Sequence, residues 1–251
     1  VSTIRLFVPD PLAEGARVRL PPAQAHYLAA VMRRAAGDMV LVFNGRDGEW
    51  RARIDALGKG AATLALEQRT RPQEPAPDLW LLAPVLRRET LEWMVEKATE
   101  LGASRILPVT SDRSAVARTN AQRLAAIATE AAEQCRRLDV PPIAEPAPLA
   151  AVLAAWEPGR TLLVADESGR APPVAAALAG AGGGAWAVLV GPEGGFAERE
   201  LDGFRDLPFC RMASLGPRIL RAETAAVAAL AVLQALAGDW VANRPGDPHL
   251  R

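Results

Sequence analysis

The stretch LWLLAPVLRRETLEWMVEKATELGASRILPV, Leu79–Val109, changes rhythm twice along its length. It opens on LWLLAPVL, a short apolar run of the kind that forms a strand buried on both faces. Leu91, Met94, Val95, Ala98 and Leu101 then recur at helical spacing and stop at Gly102, a residue suited to closing a helix. RILPV follows as a second apolar run. Strand, helix and strand in that order predict a parallel sheet covered by helices.

The same alternation continues towards the C-terminus. A helix is expected from about Asn120 to Leu138, a strand at Leu162–Ala165, a helix near Val174–Leu178 and a strand at Trp186–Val190. A short strand at Arg211–Ser214, a loop and an alanine-rich helix over Ala222–Ala237 complete this part. In the other direction, PQEPAPD at Pro72–Asp78 has no hydrophobic period and reads as a stiff extended linker. The expected domains are therefore residues 1–72 and 73–251. The front part carries short β-like runs at Ile4–Val8, Val40–Phe43, Trp50–Ile54 and Ala62–Leu66, with turn signals at Asn44-Gly45 and Asp47-Gly48. PAQAHYLAAVMRR, Pro22–Arg34, reads as one helix with its basic residues at the negative end of the dipole.

Half of the 251 residues are apolar, 23% are charged, and the formal net charge is zero. That balance fits a globular chain with room for two domains and excludes disorder or a fibrous repeat. The front is the basic part: residues 1–72 hold 11 Arg plus Lys against 7 Asp plus Glu, and the remainder holds 18 against 22. Lys59 and Lys97 are the only lysines, so cationic contacts fall to arginine, whose planar fork suits phosphates and base edges. No secretory leader is visible, and the apolar stretch Ala225–Gly238 is too short to span a bilayer. A cytoplasmic protein without membrane contact is expected. Cys135 and Cys210 have neither disulfide density nor zinc spacing, and His26 and His249 offer no local partner, so no metal is expected.

Ligands of open parallel sheets collect beyond the carboxyl ends of strands. Two such loops are unusual here. LVGPEGGF, Leu189–Phe196, has glycines where a backbone turns tightly and approaches a ligand, stiffened by Pro192. SLGPRILRAET, Ser214–Thr224, joins a second Gly-Pro turn to Arg218, Arg221, Glu223 and Thr224 at a helix start. Taken alone, GPEGG could be a plain turn between strand and helix. The loops contain no Gly-Lys-Ser or Gly-Lys-Thr phosphate cradle and no G-x-G-x-x-G, and no G-x-S-x-G elbow accompanies the histidines. Cations at a helix start oppose the dipole, so Arg218 and Arg221 ask for a compensating role.

Read in order, RLFV (Arg5–Val8), HYLAAVMRRAAGDMVLVFNG (His26–Gly45), EKATELGASRILPV (Glu96–Val109), EQCRRLDVPPI (Glu133–Ile143), LVGPEGGF and SLGPRILRAETA (Ser214–Ala225) resemble the 16S rRNA uridine-N3 methyltransferase family of the SPOUT class. The resemblance runs nearly end to end. It implies an α/β fold in which a SPOUT-type, trefoil-knotted parallel-sheet domain follows a small PUA-like, RNA-binding β-barrel. It also implies a homodimer, S-adenosyl-L-methionine as cofactor, and 16S rRNA of the small ribosomal subunit as partner. Ordinary chain rules do not predict a knot. By the same resemblance Leu189, Gly191, Glu193, Gly194 and Gly195 line one side of the cofactor, and Leu215, Gly216, Ile219, Leu220 and Thr224 the other. ADESG, Ala165–Gly169, corresponds to the first knot loop.

Methylation of uracil N3 removes a weakly acidic proton and leaves negative charge on the ring oxygens, so the site needs a proton acceptor and a cation. Arg221 is the candidate cation, and Glu193 or Glu223 the candidate to orient the base or take the proton; Glu223 could equally serve the helix dipole alone. Arg218 is the candidate for RNA phosphate. Candidates for RNA docking at the front are Arg5, Arg17, Arg19, Arg33 and Arg34, with His26 and Tyr27 placed for stacking or polar contact. Three other readings stay open at this point: a knotted methyltransferase acting on a ribose 2′-hydroxyl or a tRNA base, a non-catalytic RNA-binding assembly factor, and a metabolic enzyme holding a nucleotide at the glycine loops.

Overall fold

The computed structural model describes residues 4–58, 60–114 and 118–240; Lys59 and His249 lie outside the described residues. The chain forms two compact units. One comprises the described residues up to Pro75 together with Thr129–Val140, and the other comprises Ala76–Ala128 and the described residues from Pro141 onward.

In the first unit, strands β1 (Arg5–Phe7), β2 (Arg17–Leu20), β3 (Met39–Phe43), β4 (Glu49–Gly58) and β5 (Ala61–Arg71) form one sheet in the order β1-β3-β4-β5-β2. β1 runs parallel to β3, and the other pairs are antiparallel. Alternate residues point inward, so Leu6, Val18, Leu20, Val40, Val42, Ile54 and Leu64 share one core with Leu28. β2 was not foreseen in the sequence because it is only four residues long, with just two apolar residues in RVRL. The turn signals between β3 and β4 act through side chains: the Asn44 carbonyl oxygen accepts from the Arg46 and Asp47 N–H groups, and its amide donates to Asp47 and to the Asp10 carbonyl. Gly48, at φ +83°, leaves room for the Arg71 carbonyl where a side chain would stand.

The single helix expected over Pro22–Arg34 is two pieces. α1 (Pro22–His26) passes into a π-helical turn at Tyr27–Val31, closed by Met32 N–H donating to the Tyr27 carbonyl at 2.9 Å. Arg33 then adopts φ +52° and the helix ends.

In the second unit, β6 (Leu79–Pro84), α2 (Arg88–Glu100) and β7 (Arg105–Thr110) realise the strand-helix-strand reading of Leu79–Val109. After α3 (Ala121–Cys135), whose second half belongs to the first unit, come β8 (Ala147–Pro148), α4 (Leu149–Ala154), β9 (Thr161–Ala165), α5 (Val174–Ala177), β10 (Trp186–Leu189), α6 (Glu198–Asp206), β11 (Cys210–Ala213) and α7 (Ala222–Ala237). The sheet order is β11-β9-β10-β6-β7-β8 and every pair is parallel, so all carboxyl ends share one edge. The loop after β9 is stitched to the end of β11: Asp166 N–H donates to the Ala213 carbonyl, Ser214 N–H to Pro172, and Val174 N–H to Ser214. α7, apolar on nearly every face, packs against α2, β6 and β10.

Candidate active site

Because the strands are parallel, the loops after β6, β7, β9, β10 and β11 emerge together, and they enclose a cavity of about 1190 Å³. Gly191, Pro192, Glu193, Gly194 and Gly195 line it from β10, and Ser214–Glu223 from β11 and the start of α7. The first glycine loop is a tight turn in which Gly195 N–H donates to the Pro192 carbonyl at 2.9 Å, with Gly195 at φ +67°. A side chain on Gly191 would press on the Phe196 ring at 3.3 Å. In the second loop Gly216 sits at φ +112° and its N–H donates to the Ser214 hydroxyl. The glycines of both loops thus bring backbone, rather than their own side chains, to the cavity lining, as a close-fitting ligand requires.

Of the sequence candidates for the cofactor, Gly191, Glu193, Gly194, Gly195, Leu215, Gly216, Ile219 and Leu220 line this one cavity. Two do not. Leu189 ends β10 with its side chain buried in the sheet core beside Val164 and Phe196, and Thr224 is exposed on α7 outside the lining. In both cases the helical or strand period turns the side chain away from the loop edge. Ile219 is 86% exposed, an apolar side chain held in the open beside Leu215 and Leu220.

The cations are unevenly committed. Arg218 and Arg221 line the cavity together with Arg87, and among the described residues none of the three forms an ion pair. Arg221 occupies the N-cap position of α7 without a capping side-chain bond, and Glu223 lies in the first turn, where its charge complements the dipole. Carboxylates present are Glu193, exposed, Glu223, half-buried, and Asp166 and Glu167 from the loop after β9. Asp166 is a structural member: burial by itself would raise its carboxyl, but bonds from Ser168 and the Arg205 ion pair at 3.0 Å outweigh it and hold it below the usual range.

Arg87, Thr90, Arg113, Asp166 and Glu167 were not singled out among the cofactor or catalytic candidates, although ADESG contains the last two. They follow β6, β7 and β9, and the rule that ligands sit beyond strand ends would have led to them once β7 and β9 were placed on the same sheet edge.

In the first unit, Arg5 is a correction. It is 8% exposed, pairs with Glu49 at 2.7 Å, and donates to the Ala132, Glu133 and Arg137 carbonyls, with its guanidinium 4.5 Å from the centre of the Phe43 ring. A guanidinium so enclosed is not available to RNA phosphate. Arg17 is exposed and pairs with Asp55 at 3.2 Å, while Arg19, Arg33 and His26 are exposed. Arg34 is half-buried, and its Nε is buried without a hydrogen-bond partner among the described residues. Tyr27 and Val31, at 38% and 60% exposed, project from the π-helical turn. Among the described residues no group of three His, Cys, Asp or Glu side chains is arranged to hold a metal ion, and no helix is long and apolar enough to cross a membrane.

A family described as RNA methyltransferase domain matches residues 72–234, and one described as RNA methyltransferase PUA domain matches residues 20–67. The chain belongs to the RNA methyltransferase family. Its front sheet is the PUA domain of this methyltransferase, and its parallel sheet is a methyltransferase domain of the SPOUT type. Among relatives of this RNA methyltransferase, the ribosomal RNA small subunit methyltransferase E of Synechocystis sp. is 34% identical, over 94% of the chain and 78% of the relative. The protein of the same name from Rickettsia conorii is 29% identical over 92% and 95%. Among solved structures, ribosomal RNA small subunit methyltransferase E of Neisseria gonorrhoeae, bound to S-adenosyl methionine, superposes with a TM-score of 0.86 at 29% identity, covering 95% of this chain and 100% of that one. A methyltransferase of Legionella pneumophila in complex with the same cofactor gives 0.82 at 28% identity, covering 94% and 98%.

Proposed function

We propose that this methyltransferase uses S-adenosylmethionine to methylate N3 of a uridine in 16S rRNA of the small ribosomal subunit, acting as a cytoplasmic homodimer. The carrying observation is one cavity in which two glycine loops, an open apolar lip and Arg218 and Arg221, without ion pairs among the described residues, meet. The names of the relatives supply the small-subunit RNA, and the cofactor held by two solved neighbours fits this cavity chemically. Leu215, Ile219 and Leu220 offer apolar surface to a flat base, the backbone of Gly191–Gly195 and Leu215–Gly216 approaches its edge closely, and Glu193 offers an anion to a positively charged group. When bound, that cofactor supplies an already activated methyl group, so the residues need to bind, align and manage charge.

On this reading Arg221 stabilises the negative charge that grows on the uracil oxygens as N3 loses its proton. Glu193, which lies on the glycine loop, accepts that proton at its carboxylate or orients the base for a water to do so, while Glu223 supports the start of α7 or shares that task. Arg218 and Arg87 hold phosphate on either flank of a uridine turned out of its pairing, since N3 lies on the Watson–Crick edge. The backbone bonds that tie the loop after β9 to the end of β11 are compatible with the trefoil-knotted course of the family. The dimer is supported by Trp93 on α2, Leu236 on α7 and Trp240, which are 42%, 45% and 55% exposed around packed helices.

The test is transfer of labelled methyl from S-adenosylmethionine to small subunits, large subunits and naked 16S rRNA from cells lacking the gene, with digestion to nucleosides. Label in 3-methyluridine from the small-subunit samples is expected. Label at another nucleoside would replace the target, and RNA binding without any transfer would favour an assembly factor.

A further inference from the structure

The loop Gly191–Gly195 is gripped by two side chains that the reaction above leaves without a task. Arg113, in the loop after β7, donates from Nη1 to the Gly194 carbonyl at 2.9 Å, and its Cβ would stand 3.3 Å from any side chain placed on Gly194. Glu167, in the loop after β9, accepts from the Phe196 N–H at 3.2 Å, and its carboxylate occupies the space a side chain on Gly195 would need. β7 and β9 lie on opposite sides of β10 in the sheet order, so the loop is held from both flanks. The glycines at 194 and 195 leave the room through which these side chains reach the backbone.

Both grips are themselves anchored, and to the same place. Asp112, next to Arg113, pairs with Arg199 at 2.6 Å, and its N–H donates to Glu200. Ser111 N–H is closed onto the Ser114 hydroxyl at 2.8 Å. On the other flank Asp166 pairs with Arg205, and Arg170 pairs with Glu198. Glu200 also caps its own helix by accepting from the Ala197 N–H. α6, which directly follows the glycine loop, therefore fastens the loops after β7 and β9, and these in turn fasten the glycine loop. A lone turn of three glycines would cost conformational entropy whenever it ordered around a ligand, and fixing it beforehand removes that cost at binding.

We infer that Arg113 and Glu167 are positioning residues for the cofactor: they hold the loop Gly191–Gly195 in its binding shape, Arg113 through the Gly194 carbonyl and Glu167 through the N–H of Phe196, which directly follows it. This rests on the cofactor reading above. Calorimetric titration of the full chain with S-adenosylmethionine, alongside kcat, cofactor KM and Tm, separates the two. Arg113→Ala and Glu167→Ala should each weaken cofactor binding by about tenfold, the scale of one charge-assisted hydrogen bond, and raise the cofactor KM by more than they lower kcat. Glu167→Gln keeps an oxygen for the Phe196 N–H and should regain most of the affinity lost in Glu167→Ala. The double alanine variant should lose less than the product of the single losses, because both grips act on one loop. If the unaltered chain binds and both alanine variants bind equally well, the inference is overturned while the cofactor reading stands. Reduced kcat at full cofactor affinity would also overturn it, by placing Arg113 on the RNA. Absence of binding by the unaltered chain would remove the cofactor reading itself, and this inference with it.

Discussion

Arg5 at the front and Arg221 near the end look alike as sequence: both are arginines flanked by apolar residues in segments that carry the resemblance to an RNA-modifying family. In the structure they are opposites. Arg5 is buried and meets a carboxylate and three backbone carbonyls, whereas Arg221 lines an open cavity with no ion pair among the described residues. The difference lies in the acceptors that the fold brings near. Residues 129–140 bring the carbonyls of Ala132, Glu133 and Arg137, at and just beyond the end of α3, to Arg5; Arg221 stands instead at the N-cap of α7, the end at which a helix presents N–H donors. A cation beside donors stays free for a substrate, and a cation beside carbonyls becomes structure.

That contrast can be broken most forcefully at Arg5. Arg5→Ala removes the cation paired with the buried Glu49 carboxylate, leaving it the Thr70 hydroxyl, and takes a donor from three carbonyls; a broken buried pair costs about 3–5 kcal/mol, so the expected result is a large fall in Tm by thermal denaturation. Intact stability with weakened RNA affinity would return Arg5 to RNA docking. Arg221→Ala should do the reverse: Tm nearly unchanged, cofactor affinity retained, and kcat reduced roughly 10²–10³-fold, as when one preorganised charge-stabilising donor is lost. Normal turnover in this variant would remove Arg221 from the chemistry.

What could be read before folding divides in the same way. Strands β6, β7, β9 and β10 and helix α7 were legible because their apolar periods are local, and the two glycine loops because a Gly-Pro turn after a strand is a local signal. α6 was not legible: within ERELDGFRD only Leu201 and Phe204 are buried, Gly203 interrupts it, and its ion pairs reach distant loops. Arg113 and Glu167 escaped notice for the same reason, since Arg113 bonds to a carbonyl 81 positions away and Glu167 to an N–H 29 positions away. Arg5 was misassigned because its partners Ala132, Glu133 and Arg137 are likewise remote.

Smaller effects sharpen the comparison within the first unit. Arg19 and Arg33 are exposed and form no ion pair among the described residues, so Arg19→Glu with Arg33→Glu should weaken RNA binding and lower its salt slope by roughly one per lost phosphate contact, with cofactor affinity unchanged. Filter binding across salt concentrations measures this, and an unaltered slope would argue against the patch. Glu133 gives the most delicate effect. Burial, opposed by the Phe7 N–H bond, pushes its carboxyl up from the ordinary 4.5 to about 7. With the folded value above the unfolded one, its favourable contribution is complete below about pH 4.5 and is lost as pH rises through about 7. Glu133→Gln, neutral throughout, should therefore melt higher than the unaltered chain near pH 8, with the gap closing towards pH 4.5. A gap that does not vary with pH would contradict the sign.

The most direct check of the proposed chemistry is nucleoside mass spectrometry of 16S rRNA from cells lacking the gene, from cells carrying it, and from cells carrying Arg221→Ala. The account predicts that 3-methyluridine disappears on deletion, returns with the unaltered gene and stays strongly reduced with the variant. Unchanged 3-methyluridine in the deletion strain would contradict it.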